Sequence, residues 1–191
     1  MRRLVFTLFW LESLLAAVGV GLLSLRVYWH GLTWSQVIQP TWQDTALGLA
    51  LTVLMLLMAV AGSIASQRWE AWAFLNRWMR QVAPLFSAIR FKEMAVLSVV
   101  AGFGEEALFR GVIQPLLGVW LASLLFAVVH VLRWDSDGLK MIAFYTPFGL
   151  LLGGLYALTQ NLWGCCIAHT LYDFVALWWV QRHLRHCAPS V

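Results

Sequence analysis

Long apolar runs separated by short polar breaks dominate this sequence. Six can be drawn: Leu4–Leu25, Thr45–Ser66, Met94–Leu117, Gly118–Leu132, Leu139–Leu158 and Leu162–Val180. None shows the two-residue alternation of a half-exposed strand. A helix that crosses a bilayer needs roughly 20 apolar residues, and only the Gly118 segment is short by that standard. A transmembrane β-barrel would show alternating segments of ~10 residues instead. The pattern predicts an all-α fold, a polytopic membrane helix bundle of about six transmembrane helices. Pro115 and Pro147 are expected to kink the third and fifth helices, which membrane bundles tolerate.

Composition sharpens this picture. Of 191 residues, 61% are hydrophobic, 12% are charged, and mean hydropathy is +0.76. Soluble domains carry about 25% charged residues, so half that charge cannot cover a water-facing surface. With so little polar sequence beyond the apolar runs, residues 1–191 read as a single integral membrane domain. The first apolar run is long for a signal peptide and reads as a retained span.

Basic residues set the orientation. With the N-terminus inside, the cytoplasmic face receives Arg2, Arg3, Arg68, Arg77, Arg80, Arg90, Lys92, Arg133, Lys140, Arg182 and Arg185, out of 13 Lys and Arg. Both termini are therefore expected in the cytoplasm. Residues 67–92 interleave Trp69, Trp72, Phe74, Leu75, Trp78 and Met79 with arginines, the pattern of an amphipathic segment lying on anionic lipid. The net charge of +4 then reports topology and lipid contact rather than nucleic acid. Cys165 and Cys166 lie in an apolar run and Cys187 near the C-terminus. No Cys or His spacing suggests structural zinc.

The candidate chemistry lies in ionisable groups inside the apolar runs, where each costs roughly 2.5–3.5 kcal/mol on insertion scales. Helix three carries Glu105, Glu106 and Arg110, helix four ends in Phe126 and His130, and helix six holds His169 and Asp173. Glu106 and Arg110 are i,i+4 neighbours with the acid first, the favoured order for a pair. Adjacent residues are turned by about 100°, so Glu105 is free to face something else. His169 and Asp173 are also i,i+4, so the carboxylate can orient the imidazole. Glu12 in helix one has no evident partner, and snorkelling, an arginine pair and a substrate groove all remain open. Gly149, Gly153 and Gly154 suit close helix packing. A structural polar network and a proton or ion path use similar groups.

EEALFR matches EExxxR, FAVVH matches FxxxH and HTLYD matches HxxxN/D, in that order. Together they resemble the CPBP family, the type II CAAX prenyl endopeptidases and their bacterial relatives linked to bacteriocin processing and self-immunity. The resemblance spans about Glu105 to Asp173, within a core of about 94–180. It implies a glutamate-dependent intramembrane endopeptidase that cuts a membrane-associated protein or peptide, in a bacterial inner membrane. It also implies that Glu105 and His130 activate water, that Glu106, Arg110 and Phe126 support them, and that His169 and residue 173 stabilise the oxyanion.

The prenyl-protease branch carries Asn at the last position, where this chain has Asp173, so a prenylated substrate does not follow. No cofactor is expected. Zinc held by Glu105, His130 and His169 is the competing reading, without an HExxH to support it. A non-catalytic scaffold and an ion carrier are the other function classes. Nothing in the sequence sets the oligomeric state.

Overall fold

Helix occupies every apolar run, since only helical backbone satisfies its own N–H and C=O groups where water is absent. The computed structural model describes residues 2–86, 89–131 and 133–187, with side-chain surroundings from Val5 to Arg182. The side chains of Arg2, Arg3, Arg185 and Cys187, and all of Leu132, lie outside the described residues.

The elements are α1 (Arg2–Trp29), a short α2 (Trp34–Val37), α3 (Trp42–Arg68), α4 (Ala73–Phe86), α5 (Phe91–Leu108), a π-helical turn (Phe109–Ile113), α6 (Gln114–Val129), α7 (Ser136–Thr159) and α8 (Leu162–Cys187). No strand occurs among the described residues. Among the described residues, four stretches are long and apolar enough to cross a membrane: Val5–Trp29, Trp42–Arg68, Phe91–Val129 and Ser136–Thr159. The 26-residue α8 packs along α3 and α5 and carries His169, Thr170 and Asp173 in its apolar half.

The Phe91–Val129 stretch is not one rod. Gly118 has φ 80 and ψ 167, a conformation that only glycine adopts easily. Gln114 and Val119 both meet Gly153 of α7, while Arg110 and Ser123 both meet Gly149. The chain thus climbs one turn of α7 before Gly118 and descends the same turn after it. The expected boundary between segments three and four falls on this reversal. The kink expected at Pro115 is displaced into the π turn just before it. Pro115 has no N–H to offer the Gly111 carbonyl four residues back, and Arg26 of α1 donates to that oxygen at 2.7 Å. α7 continues as helix through Pro147.

Small residues set the remaining contacts. Gly19 and Ala16 of α1 press on Gly104 of α5, so these helices run parallel. Gly102 of α5 lies against the Thr170 backbone of α8, where an added Cβ would meet Thr170 Oγ1 at 2.3 Å. Gly149 and Gly153 pack closely as expected, but Gly154 faces open space.

The interfacial segment is shorter than the sequence suggested. Gln67 and Arg68 finish α3, Phe91 and Lys92 begin α5, and a 3-10 turn (Glu70–Trp72) and α4 lie between. Its Phe74 and Leu75 pack with Met141 of α7 rather than facing outward, while Arg77 and Arg80 are exposed. Arg77 clamps Asp137 of α7 through two hydrogen bonds, 2.6 and 2.8 Å.

Gly118→Ala should lower stability by about 1–3 kcal/mol through strain alone, since no atom crowds the new Cβ. Unfolding in detergent checks this. Gly21→Ala, equally uncrowded but within α1, should leave the midpoint unchanged or slightly raised.

Candidate functional site

The buried end of the polar cluster is organised around one carboxylate oxygen. Oε1 of Glu106 accepts from Arg110 Nη1 at 2.8 Å and from His169 Nδ1 at 2.8 Å. The second Arg110 amino group donates to the Gly149 carbonyl at 2.9 Å. Glu106 and Arg110 share a face because they stand one turn apart, and the π turn at Phe109 directs the guanidinium toward α7. The Arg110 guanidinium also lies 4.6 Å over the Phe126 ring, a cation–π contact. Both members of the pair are essentially without exposure.

Glu105 faces away from this pair toward the arm that returns after Gly118. Its Oε2 stands 3.7 Å from His130 Nε2 and has no hydrogen-bond partner among the described residues, although it is buried. Nδ1 of His130 is 2.7 Å from its own helix carbonyl at Phe126. Because a carbonyl only accepts, Nδ1 carries the proton and Nε2 presents its lone pair toward Glu105 in the neutral ring. Phe126 contacts both imidazoles, at 4.5 Å from His130 and 5.6 Å from His169 between ring centres. Asp173 Oδ2 lies 3.5 Å from His169 Nε2.

All seven residues singled out from the sequence, Glu105, Glu106, Arg110, Phe126, His130, His169 and Asp173, therefore meet in one cluster. Two features lay beyond sequence reasoning. Glu106, not Asp173, makes the shorter bond to His169. Tyr145 of α7 stacks near His130, 5.1 Å between ring centres. Neither has a local spacing that could announce it, since both join different helices.

The chain matches the Type II CAAX prenyl endopeptidase Rce1-like family over residues 86–175, a stretch that holds all seven residues. It is also 30% identical over 152 residues to the uncharacterized protein YpbD of Bacillus subtilis, covering 80% of this chain and 68% of that protein. This chain belongs to the Rce1-like family. No solved structure matches it. Rce1-like proteins form a protease family of the membrane, and the four long apolar helices make this member an integral membrane protein.

Zinc at this Rce1-like site would call on Glu105, His130 and His169. Nδ1 of His169 is bonded to Glu106, which leaves Nε2, 3.5 Å from Asp173 Oδ2, as the one nitrogen of that ring open to another partner. Among the described residues no three His, Cys, Asp or Glu side chains are grouped to hold an ion. Cys165 and Cys166 are buried, and the Cys165 thiol donates to the Leu152 carbonyl at 3.3 Å.

Removing Arg110 strands a carboxylate at full burial. Arg110→Met should therefore cost about 3–5 kcal/mol of stability in detergent unfolding. Adding Glu106→Gln should recover much of that loss, because the uncompensated charge is then gone.

Proposed function

We propose that this chain is an intramembrane endopeptidase in which Glu105 and His130 activate a water molecule against a peptide bond of a membrane-associated protein or peptide. The observation that carries this reading is the buried Glu105 Oε2. It has no hydrogen-bond partner among the described residues and lies 3.7 Å from a histidine nitrogen. Buried polar groups are rarely left unbonded without a use. One water can hydrogen-bond both groups at that separation.

In the proposed cycle, Glu105 takes a proton from this water as its oxygen bonds to the substrate carbonyl carbon. The carbonyl π pair moves onto oxygen, giving a tetrahedral oxyanion. That pair then re-forms the C=O as the C–N bond breaks. Glu105 returns its proton to the departing amine nitrogen, which regenerates the carboxylate. His130 holds the water and carries part of the proton traffic.

Donors for the oxyanion are assigned to His169 and Asp173. Because Nδ1 of His169 carries a proton and donates its hydrogen bond to Glu106, Nε2 can donate only from the imidazolium. Asp173 beside it favours that form or, when protonated, donates directly. Glu106, Arg110 and Phe126 are assigned to positioning, since they hold the two imidazoles. The reaction is proposed to need no metal ion. Both termini and the α4 surface are proposed to face the cytoplasm of a bacterial cell.

The decisive experiment is cleavage of membrane-anchored peptides by the purified chain and its Glu105→Gln variant, with and without a chelator. Turnover should fall at least about 10²-fold in the variant, with its unfolding midpoint retained and no effect of chelator. Activity lost to chelator and restored by zinc would move the metal to the front. A cellular phenotype unchanged by Glu105→Gln would favour a scaffold.

The departure at residue 173 gives its own test. Asp173→Asn, which keeps the shape and supplies an amide donor, should stay within about tenfold of wild type. Asp173→Ala should lose about 10²-fold in turnover.

A further inference from the structure

Glu12 of α1 is the charged group that the proposed chemistry leaves unused. It stands about 15 Å into α1 from Arg2 and about 25 Å from Trp29, so a short glutamate side chain cannot snorkel to either end. Its Oε2 is buried without a hydrogen-bond partner, and no ion pair satisfies it among the described residues. A lone intramembrane carboxylate of this kind needs a reason.

Its position supplies one. Glu12, Ala16 and Gly19 lie at i, i+4 and i+7, one stripe of α1, and that stripe is the one pressed onto Gly104 of α5. From Ala16 at Gly104, Glu12 lies about 6 Å toward the end of the bundle that carries α4. From Thr170 at Gly102, Asp173 lies about 4.5 Å in the same direction. The two carboxyls therefore sit within about 2 Å of the same depth, one on each neighbour of α5. The electrostatic neighbours of Glu12 are Glu105, Asp173 and His169.

Charge bookkeeping then points to a ligand. Four carboxyl side chains, those of Glu12, Glu105, Glu106 and Asp173, gather around the site. The one permanent cation among the cluster, Arg110, is already committed to Glu106. Glu105 stands about 100° round α5 from Gly104 and about 60° from Gly102, so it points between α1 and α8, and its buried Oε2 has no hydrogen-bond partner. Such an acidic excess in a low-dielectric surrounding is complementary to a cation brought from outside.

We propose that Glu12, together with Asp173, receives a basic side chain of the substrate next to the bond attacked from Glu105. The preferred substrate is then a membrane-associated peptide with lysine or arginine beside its cleavage point. This inference rests on the protease reading of the same site.

The test uses the full chain in nanodiscs of neutral lipid, so that anionic headgroups do not attract the probe. The probes are single-span peptides in which one lysine is moved residue by residue, each matched by a methionine and a glutamate version. At one position the wild-type chain should cut the lysine peptide at least about tenfold faster than the methionine peptide, in kcat/KM. Glu12→Gln should reduce that ratio to within about threefold, and Glu12→Lys should turn the preference toward the glutamate peptide. A merely structural Glu12 would lower all three rates together and leave their ratios alone, which overturns the proposal.

Binding of the same peptides to Glu105→Gln separates the two readings. A lysine preference in binding that disappears on adding Glu12→Gln, without any cleavage by wild type, sustains the acidic subsite and sinks the protease. No lysine preference in either assay sinks the subsite.

Discussion

Everything in this bundle is referred to a carboxylate that has no access to solvent. Glu106 is fully buried among apolar helices, and such a charge persists only when its partners are close and well aligned. Arg110 comes from the same helix, but its other amino group ends on the Gly149 carbonyl of α7. His169 comes from α8. One oxygen thus fixes the relative depth and rotation of three helices that lipid alone would not hold in register. The 100° step to Glu105 turns the neighbouring carboxylate off that knot and toward His130. Two consecutive glutamates therefore divide into an anchor and a free group for a geometric reason.

Backbone shape delivers the other half of the site. Helices in lipid gain no hydrophobic drive by pairing, so their closeness depends on small residues. The contact between Gly102 and Thr170 brings α8 against α5 next to His169. The positive φ at Gly118 sends the chain back, and the arm that follows covers less than a full crossing before it ends at His130. A full-length helix there would carry His130 past the level of Glu105. The short fourth segment is what puts the imidazole at mid-depth.

Much of this was legible because it is periodic. Apolar runs marked α1, α3, α7 and α8, and the i,i+4 spacing of Glu106 with Arg110 and of His169 with Asp173 survived as close approaches. Gly118 also announced a boundary, since glycine is suited to reversals. What stayed hidden has no local signature. The Glu106–His169 bond joins residues 63 apart, and the π turn over FRGVI looks like ordinary helix in sequence. The interfacial segment was drawn too long because aromatic and basic residues continue across the ends of α3 and α5. Phe74 and Leu75 were given to lipid when Met141 was their partner, a contact that only tertiary structure can reveal.

Exposure gives the cluster a front and a back. Glu105, Glu106, Arg110 and His169 are at most 6% exposed, whereas His130 and Asp173 reach 24% and 28%. The cluster is thus most open at the edge made by His130 and Asp173. That edge turns toward α4: His130 stacks near Tyr145, and Tyr145 meets Trp78 edge-on at 5.8 Å. Above it α4 is clamped to α7 by Arg77 and Asp137, close to the polar end of the bundle. On the proposed protease reading, an extended substrate that enters beneath a surface helix need not unwind a spanning segment in the bilayer centre. Its backbone carbonyls can stay hydrated until they reach the carboxylate. In the proposed reaction the same edge would admit the water consumed, while the apolar wall behind Glu106 keeps water off the ion pair that holds the site together.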